Sequence, residues 1–100
     1  MNMQAIMAQA QKMQRDLKKA NEELAKQEFR VSKSGAIEVV VLGNKTISEV
    51  HISEDAFETD NREMVEEMIR LAINDAFKNI DKAIEDINER ITGRREGIGM

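Results

Sequence analysis

The residues best suited to chemistry in this 100-residue chain are its cations. Lys12, Arg15, Lys18 and Lys19 stand close together, with Asp16 the one carboxylate in the first twenty positions. A second group, Lys78, Lys82, Arg90, Arg94 and Arg95, lies towards the C-terminus. Such side chains neutralise phosphates, displacing counterions from a polyanion without reading its bases. At about 100° per residue, Lys12, Arg15, Lys19 and Lys26 fall on one helical face, and Glu22 shares it. The competing reading is a plain solvated face. Lys78 and Lys82 have Asp75, Asp81, Glu85, Asp86 and Glu89 nearby, so ion pairing and phosphate contact stand level for them. Arg94 and Arg95 have fewer carboxylate neighbours, which favours phosphate contact.

Other chemistries find little support. The chain has no Cys, which excludes disulfides, thiolate metal sites and cysteine nucleophiles. His51 is the single histidine and reads as an exposed or partner-facing strand residue. Glu54, Asp55, Glu58 and Asp60 lack the spacing and glycine of a calcium loop. No phosphate-binding glycine loop, nucleophile elbow or zinc spacing is present. The expectation is a protein that is not an enzyme and needs no metal, cofactor or small-molecule substrate. No apolar run reaches the ~18 residues of a membrane span, so a cytoplasmic location is expected. With no Trp or Tyr and three Phe, aromatic stacking on unpaired bases is unsupported. A net charge of −4 hides an asymmetry, because residues 54–67 hold seven carboxylates against Arg62 alone.

The elements that must position these cations follow from periodicity. Met3, Ile6, Ala10, Met13, Leu17, Ala20 and Leu24 form an unbroken heptad seam, predicting a helix over about residues 2–26. The period then switches to two. Phe29 and Val31 mark one strand, Ser34-Gly35 a turn, and Ile37, Val39 and Val41 one face of the next strand. Gly43-Asn44 signals a two-residue hairpin through positive φ. A third strand is expected over 46–52, with a bulge near Ser48-Glu49 because Ile47 is out of phase with Val50. Asp60 and Glu63 suggest a capping box. The second helix follows with a stripe of Val65, Ile69, Ala72, Ala76, Ile80, Ala83, Ile87 and Ile91, ending at Gly93. The reading is one α+β domain over 1–93, ordered αβββα, with a three-stranded antiparallel sheet flanked by two long helices. Residues 94–100 read as a flexible basic, glycine-containing tail.

Both helices outreach strands of this length, yet their apolar stripes run to the ends. Val40 and Leu42 also place apolar side chains on the sheet face opposite Ile37, Val39 and Val41. A homodimer satisfies both demands, with Met13, Leu17, Val40 and Leu42 as its expected interface.

Met7-Ala8-Gln9-Ala10-Gln11-Lys12-Met13-Gln14 resembles the opening of the YbaB/EbfC nucleoid-associated proteins. So do Ser34-Gly35 with Ile37-Glu38-Val39-Val40-Val41 and Gly43, then Val50-His51-Ile52. The fullest likeness is Arg62-Glu63-Met64-Val65-Glu66-Glu67-Met68 continuing through Leu71-Ala72-Ile73-Asn74-Asp75-Ala76. The resemblance spans roughly residues 4–93. It implies a tweezer-like bacterial homodimer that binds double-stranded DNA and contributes to nucleoid organisation and gene regulation. On that basis Lys12, Arg15, Lys18, Lys19, Lys78, Lys82, Arg94 and Arg95 are the expected DNA-binding residues. The alternative is a dimeric helical scaffold for another protein, without direct DNA contact.

Overall fold

The first helix needs little help from its surroundings, since Ala, Gln, Lys, Leu and Met all favour the conformation. In the computed structural model, which describes residues 2–93, α1 runs Met3–Lys26 and is capped by the Asn2 side chain accepting from the Gln4 amide. Three six-residue strands follow, β1 (Glu28–Lys33), β2 (Ile37–Leu42) and β3 (Ile47–Ile52), and α2 (Arg62–Thr92) closes the fold. The sheet is an antiparallel meander in the order β1-β2-β3. The expected α+β architecture is therefore present.

The turns carry the expected residue types in two different ways. Ser34 and Gly35 both have positive φ, the Ala36 amide donates to the Lys33 carbonyl, and Lys33 pairs with Ile37 across this three-residue connection. The second hairpin departs from expectation. Positive φ falls on Lys45, while the Asn44 side chain accepts from the Thr46 amide. Gly43 is needed for space instead, because a Cβ there would lie 1.8 Å from the Leu24 carbonyl oxygen. This close approach locks the end of α1 to the β2–β3 turn, and the Gly43 amide donates to the Gln27 carbonyl.

The bulge appears where parity demanded it. Val40 pairs with Glu49 and Val41 with Ile47, leaving Ser48 as the extra residue. Its hydroxyl donates to the Val40 carbonyl. Two single 3₁₀ turns, Glu54–Ala56 and Thr59–Asn61, lead into α2. The expected capping box does not form. Asp60 is spent in the second 3₁₀ turn, and the Asn61 cap makes no side-chain bond to the helix. At the other end Gly93 adopts the left-handed conformation and its amide closes on the Glu89 carbonyl.

The core lies between α2 and one sheet face. Ile37, Val39 and Val41 meet Val65, Ala72, Ala76 and Ile80, with Phe29, Val31 and Ile52 at the margins. Ala72 and Ala76 let the helix axis approach β2 closely. Beyond the sheet, α2 packs on the C-terminal half of α1, where Ala20 and Leu24 share a groove with Ala83 and Ile87. The result is 69 Å long and 26 Å across, a sheet body with a two-helix arm.

The outer sheet face differs from its expected form. Val40 is wholly covered within the single chain, flanked across the ladder by the long side chains of Arg30 and Glu49. Met13, Leu17 and Leu42 remain half-exposed.

Candidate nucleic-acid interface

Ion pairing sorts the cations of this chain by location. In the sheet body they are neutralised. Arg30 bonds Glu28 and Glu38 at 3.0 and 3.1 Å, Lys33 meets Asp75 at 2.6 Å, and Lys45 meets Asp81 at 2.9 Å. Lys45 also stands 5.7 Å from the centre of the Phe77 ring. On the first half of α2, Arg62 pairs with Glu66 and Arg70 with Glu67. Each of these pairs joins neighbours on one helix or one strand, adjacent strands, or the sheet with its turns and α2.

The arm is different. Arg15, Lys18 and Lys19 on α1 are exposed and form no ion pair among the described residues, and Lys26 behaves in the same way. On α2, Lys82 and Arg90 are likewise exposed without an ion-pair partner among the described residues, and so is Lys78, the exception in the sheet body, which lies beside β1. Sequence composition alone hides this division, since both regions hold lysine and arginine and the partners of those in the body come from other positions.

Lys12 is the exception among the expected residues. Its ammonium meets Asp16 at 2.8 Å, one helical turn on. That contact holds the Asp16 carboxyl below its ordinary pKa, with Arg15 and Lys19 adding to the field. The Lys-x-x-x-Asp spacing was the available signal for this pair. Both side chains are well exposed, so the pair is weak and a phosphate can compete for the lysine.

Two grooves take in three of the remaining cations. Lys19 and Arg90 line one at the junction of the helices, with Asp16, Ala20, Glu23 and Ile91. Lys78 lines another beside β1, with Arg30, Val31, Ser32, Asp75 and Asn79. The structure thus brings Lys19 to Arg90 and leaves Lys78 in a separate groove. Arg94, Arg95 and the rest of the tail lie outside the described residues.

Carboxylates dominate the opposite end of the molecule. Glu54, Asp55, Glu58, Asp60 and Glu63 are exposed around the start of α2. From Arg62 to Arg90 the helix rises about 42 Å at 1.5 Å per residue, so acidic body and basic arm are well separated. Among the described residues no three His, Asp or Glu side chains converge as metal ligands, and no helix is long and apolar enough to cross a membrane. His51 bonds Glu49 at 2.8 Å on the exposed face of β3.

A meander crossed by one long helix, with unpaired cations on a projecting arm, defines a small α+β protein built around its helices. This chain belongs to the YbaB/EbfC DNA-binding family, which matches residues 1–95. It is 37% identical over 98 residues to a nucleoid-associated protein of Ruminiclostridium cellulolyticum, covering 97% of this chain and 85% of that one. It is 40% identical over 93 residues to a nucleoid-associated protein of Agathobacter rectalis, covering 92% and 82%. In fold it is similar to an uncharacterized protein of Helicobacter pylori whose crystal structure is solved. The TM-score is 0.71 at 15% identity, covering 93% of this chain and 99% of that chain. At that identity the likeness speaks for the fold alone. The family is a DNA-binding family and not an enzyme family.

Proposed function

We propose that this chain is a cytoplasmic, nucleoid-associated protein that binds double-stranded DNA as a homodimer, chiefly through phosphate contacts, with roles in nucleoid organisation and gene regulation. The observation that carries this reading is the sorting of cations. Lys78 apart, the body holds its Arg and Lys in ion pairs, whereas Arg15, Lys18, Lys19, Lys26, Lys82 and Arg90 are left without carboxylate partners among the described residues. A cation held in an ion pair gains less from a phosphate than one without a carboxylate partner, because the existing pair must be given up. The acidic end of α2 repels the duplex, which orients the arm towards it. Few aromatic side chains are available to stack, so backbone and shape dominate recognition over base reading.

Fluorescence anisotropy on a 30-base-pair duplex of arbitrary sequence tests the reading. With six phosphates neutralised per dimer, affinity falls about a thousandfold between 50 and 200 mM salt. Absence of binding at 50 mM, or binding indifferent to salt, would overturn it. A single strand of the same sequence is expected to bind more weakly.

A further inference from the structure

We propose that the tip of α1, residues 3–13, is a contact surface between DNA-bound copies of this chain, with two tips packing back to back so that they hold two duplexes together. This rests on the DNA reading above and adds how one bound molecule meets another.

Charge gives the first observation. In a chain whose residues are 34% charged, none of the first eleven has a charged side chain, and Lys12 is the first that does. Met3, Ile6, Met7 and Ala10 follow the i, i+3, i+4, i+7 spacing of one helical stripe, and only Gln and Ala stand between them. Loss of charge together with enrichment in Met is the composition of an interface core.

The stripe is also bare. Further along α1 the same seam is spent on α2, where Ala20 and Leu24 share a groove with Ala83 and Ile87. Helix α2 reaches back along α1 as far as Asp16, beside Arg90 and Ile91. From Met13 to Met3, α1 continues past it for about 15 Å at 1.5 Å per residue. Met3 is 70% exposed, Met7 57% and Ile6 41%. Together they leave roughly 300 Å² of apolar surface in water, a patch of the size that marks an interaction site.

A second copy is the occupant that charge and area select. An uncharged tip meets its like without repulsion, whereas the acidic body and the basic flank each repel their own kind. About 300 Å² a side is under half of the ~800 Å² that each partner gives a standard interface. Two tips therefore do not hold one another in dilute solution. They do so where duplexes gather many copies and raise their effective concentration.

Direction follows from helix geometry. At about 100° per residue, Lys12, Arg15 and Lys19 lie on the side of α1 opposite the stripe. Two tips packed stripe to stripe, with axes about 8–10 Å apart, turn their cations outwards on both sides. Each set then faces a separate duplex.

A bead-bound duplex, a labelled duplex in solution and the full chain at 50 mM salt test this, with anisotropy measuring plain binding in parallel. The parent is expected to retain the labelled duplex on the beads. The triple variant Met3→Gln, Ile6→Gln, Met7→Gln, which keeps the charge and helix-forming residues, should retain about tenfold less, with its anisotropy affinity within about twofold of the parent because no phosphate contact is lost. A variant that bridges like the parent, or a parent that binds without bridging, overturns the inference while the DNA reading stands. A variant whose anisotropy affinity falls in step with bridging makes the tip a DNA contact and overturns it too. A parent that binds neither duplex overturns both readings. Should the triple variant lose helicity by circular dichroism, Ile6→Cys in the otherwise cysteine-free chain decides: a short bis-maleimide joins two copies when duplex is present and not without it, and no duplex-dependent crosslink overturns the inference.

Discussion

The Lys33 ammonium on β1 meets the Asp75 carboxylate on α2 at 2.6 Å, joining residues 42 positions apart in the chain. The contact anchors the middle of the long helix to the edge strand farthest from β3. Lys33 holds the Asp75 carboxyl below its ordinary pKa, outweighing partial desolvation, with Lys78 adding to the effect.

Asp75 therefore gives the fold an acid-sensitive element. Its folded pKa lies below the unfolded value, so its contribution is complete above that value and fades as pH falls through the depressed folded pKa. Asp75→Asn is expected to melt below the parent at pH 7, with the gap closing as the pH drops below 3.8. Thermal denaturation followed at 222 nm between pH 2 and 7 checks this. A gap that widens towards acid would contradict it.

The two turn glycines separate space from conformation. Gly43→Ala forces a Cβ into the Leu24 carbonyl and should cost about 3 kcal/mol or more, since the obstacle is backbone. Gly35→Ala meets open space at a φ of +67° and should cost about 1 kcal/mol. Urea titrations of both variants measure the difference, and equal losses would refute the distinction.

Packing predicts a similar contrast on α2. Ile80 has no exposed surface and sits among the core side chains, so Ile80→Ala should lose about 2–5 kcal/mol. Met64 is 41% exposed on the same helix, and Met64→Ala should stay within about 1 kcal/mol of the parent. Chemical denaturation of the pair settles the ordering.

The arm's role in binding yields a graded prediction at neighbouring positions. Lys12 is shared with Asp16 whereas Arg15 has no ion-pair partner among the described residues. Arg15→Gln should weaken duplex binding more than Lys12→Gln does, by about threefold in 100 mM salt. Restored affinity of a Lys12-dependent kind in Asp16→Asn would appear as a steeper salt slope.

Much of this architecture was legible because each element obeys one dominant period. The heptad seam of α1, the alternation from Phe29 to Val41 and the stripe from Val65 to Ile91 all emerge in the folded chain, and the parity break at Ile47 located the Ser48 bulge. The misses are local competitions that periodicity does not resolve. Asp60 was as good a cap as any by type, yet a 3₁₀ turn claimed it. Gly43 read as a φ-driven turn glycine, but its requirement comes from Leu24, distant in sequence. Val40 reads as open because alternation places it outward, yet it is wholly covered in the fold, with Arg30 and Glu49 opposite it on the adjacent strands. For the candidate interface, residue types and helix positions were readable, but the ion pairs that silence Arg30, Lys33 and Lys45 join separate elements, and only folding brings them together.

The most direct test compares two triple variants by duplex anisotropy across 50–200 mM salt. One neutralises to Gln the cations Arg15, Lys18 and Lys19, which have no ion-pair partner among the described residues; the other neutralises the paired cations Arg30, Arg62 and Arg70. The slope of log affinity against log salt should flatten by about 0.9 per lost phosphate contact in the first and match the parent in the second. Equal slopes in both variants, or a flattening confined to the paired set, would contradict the account.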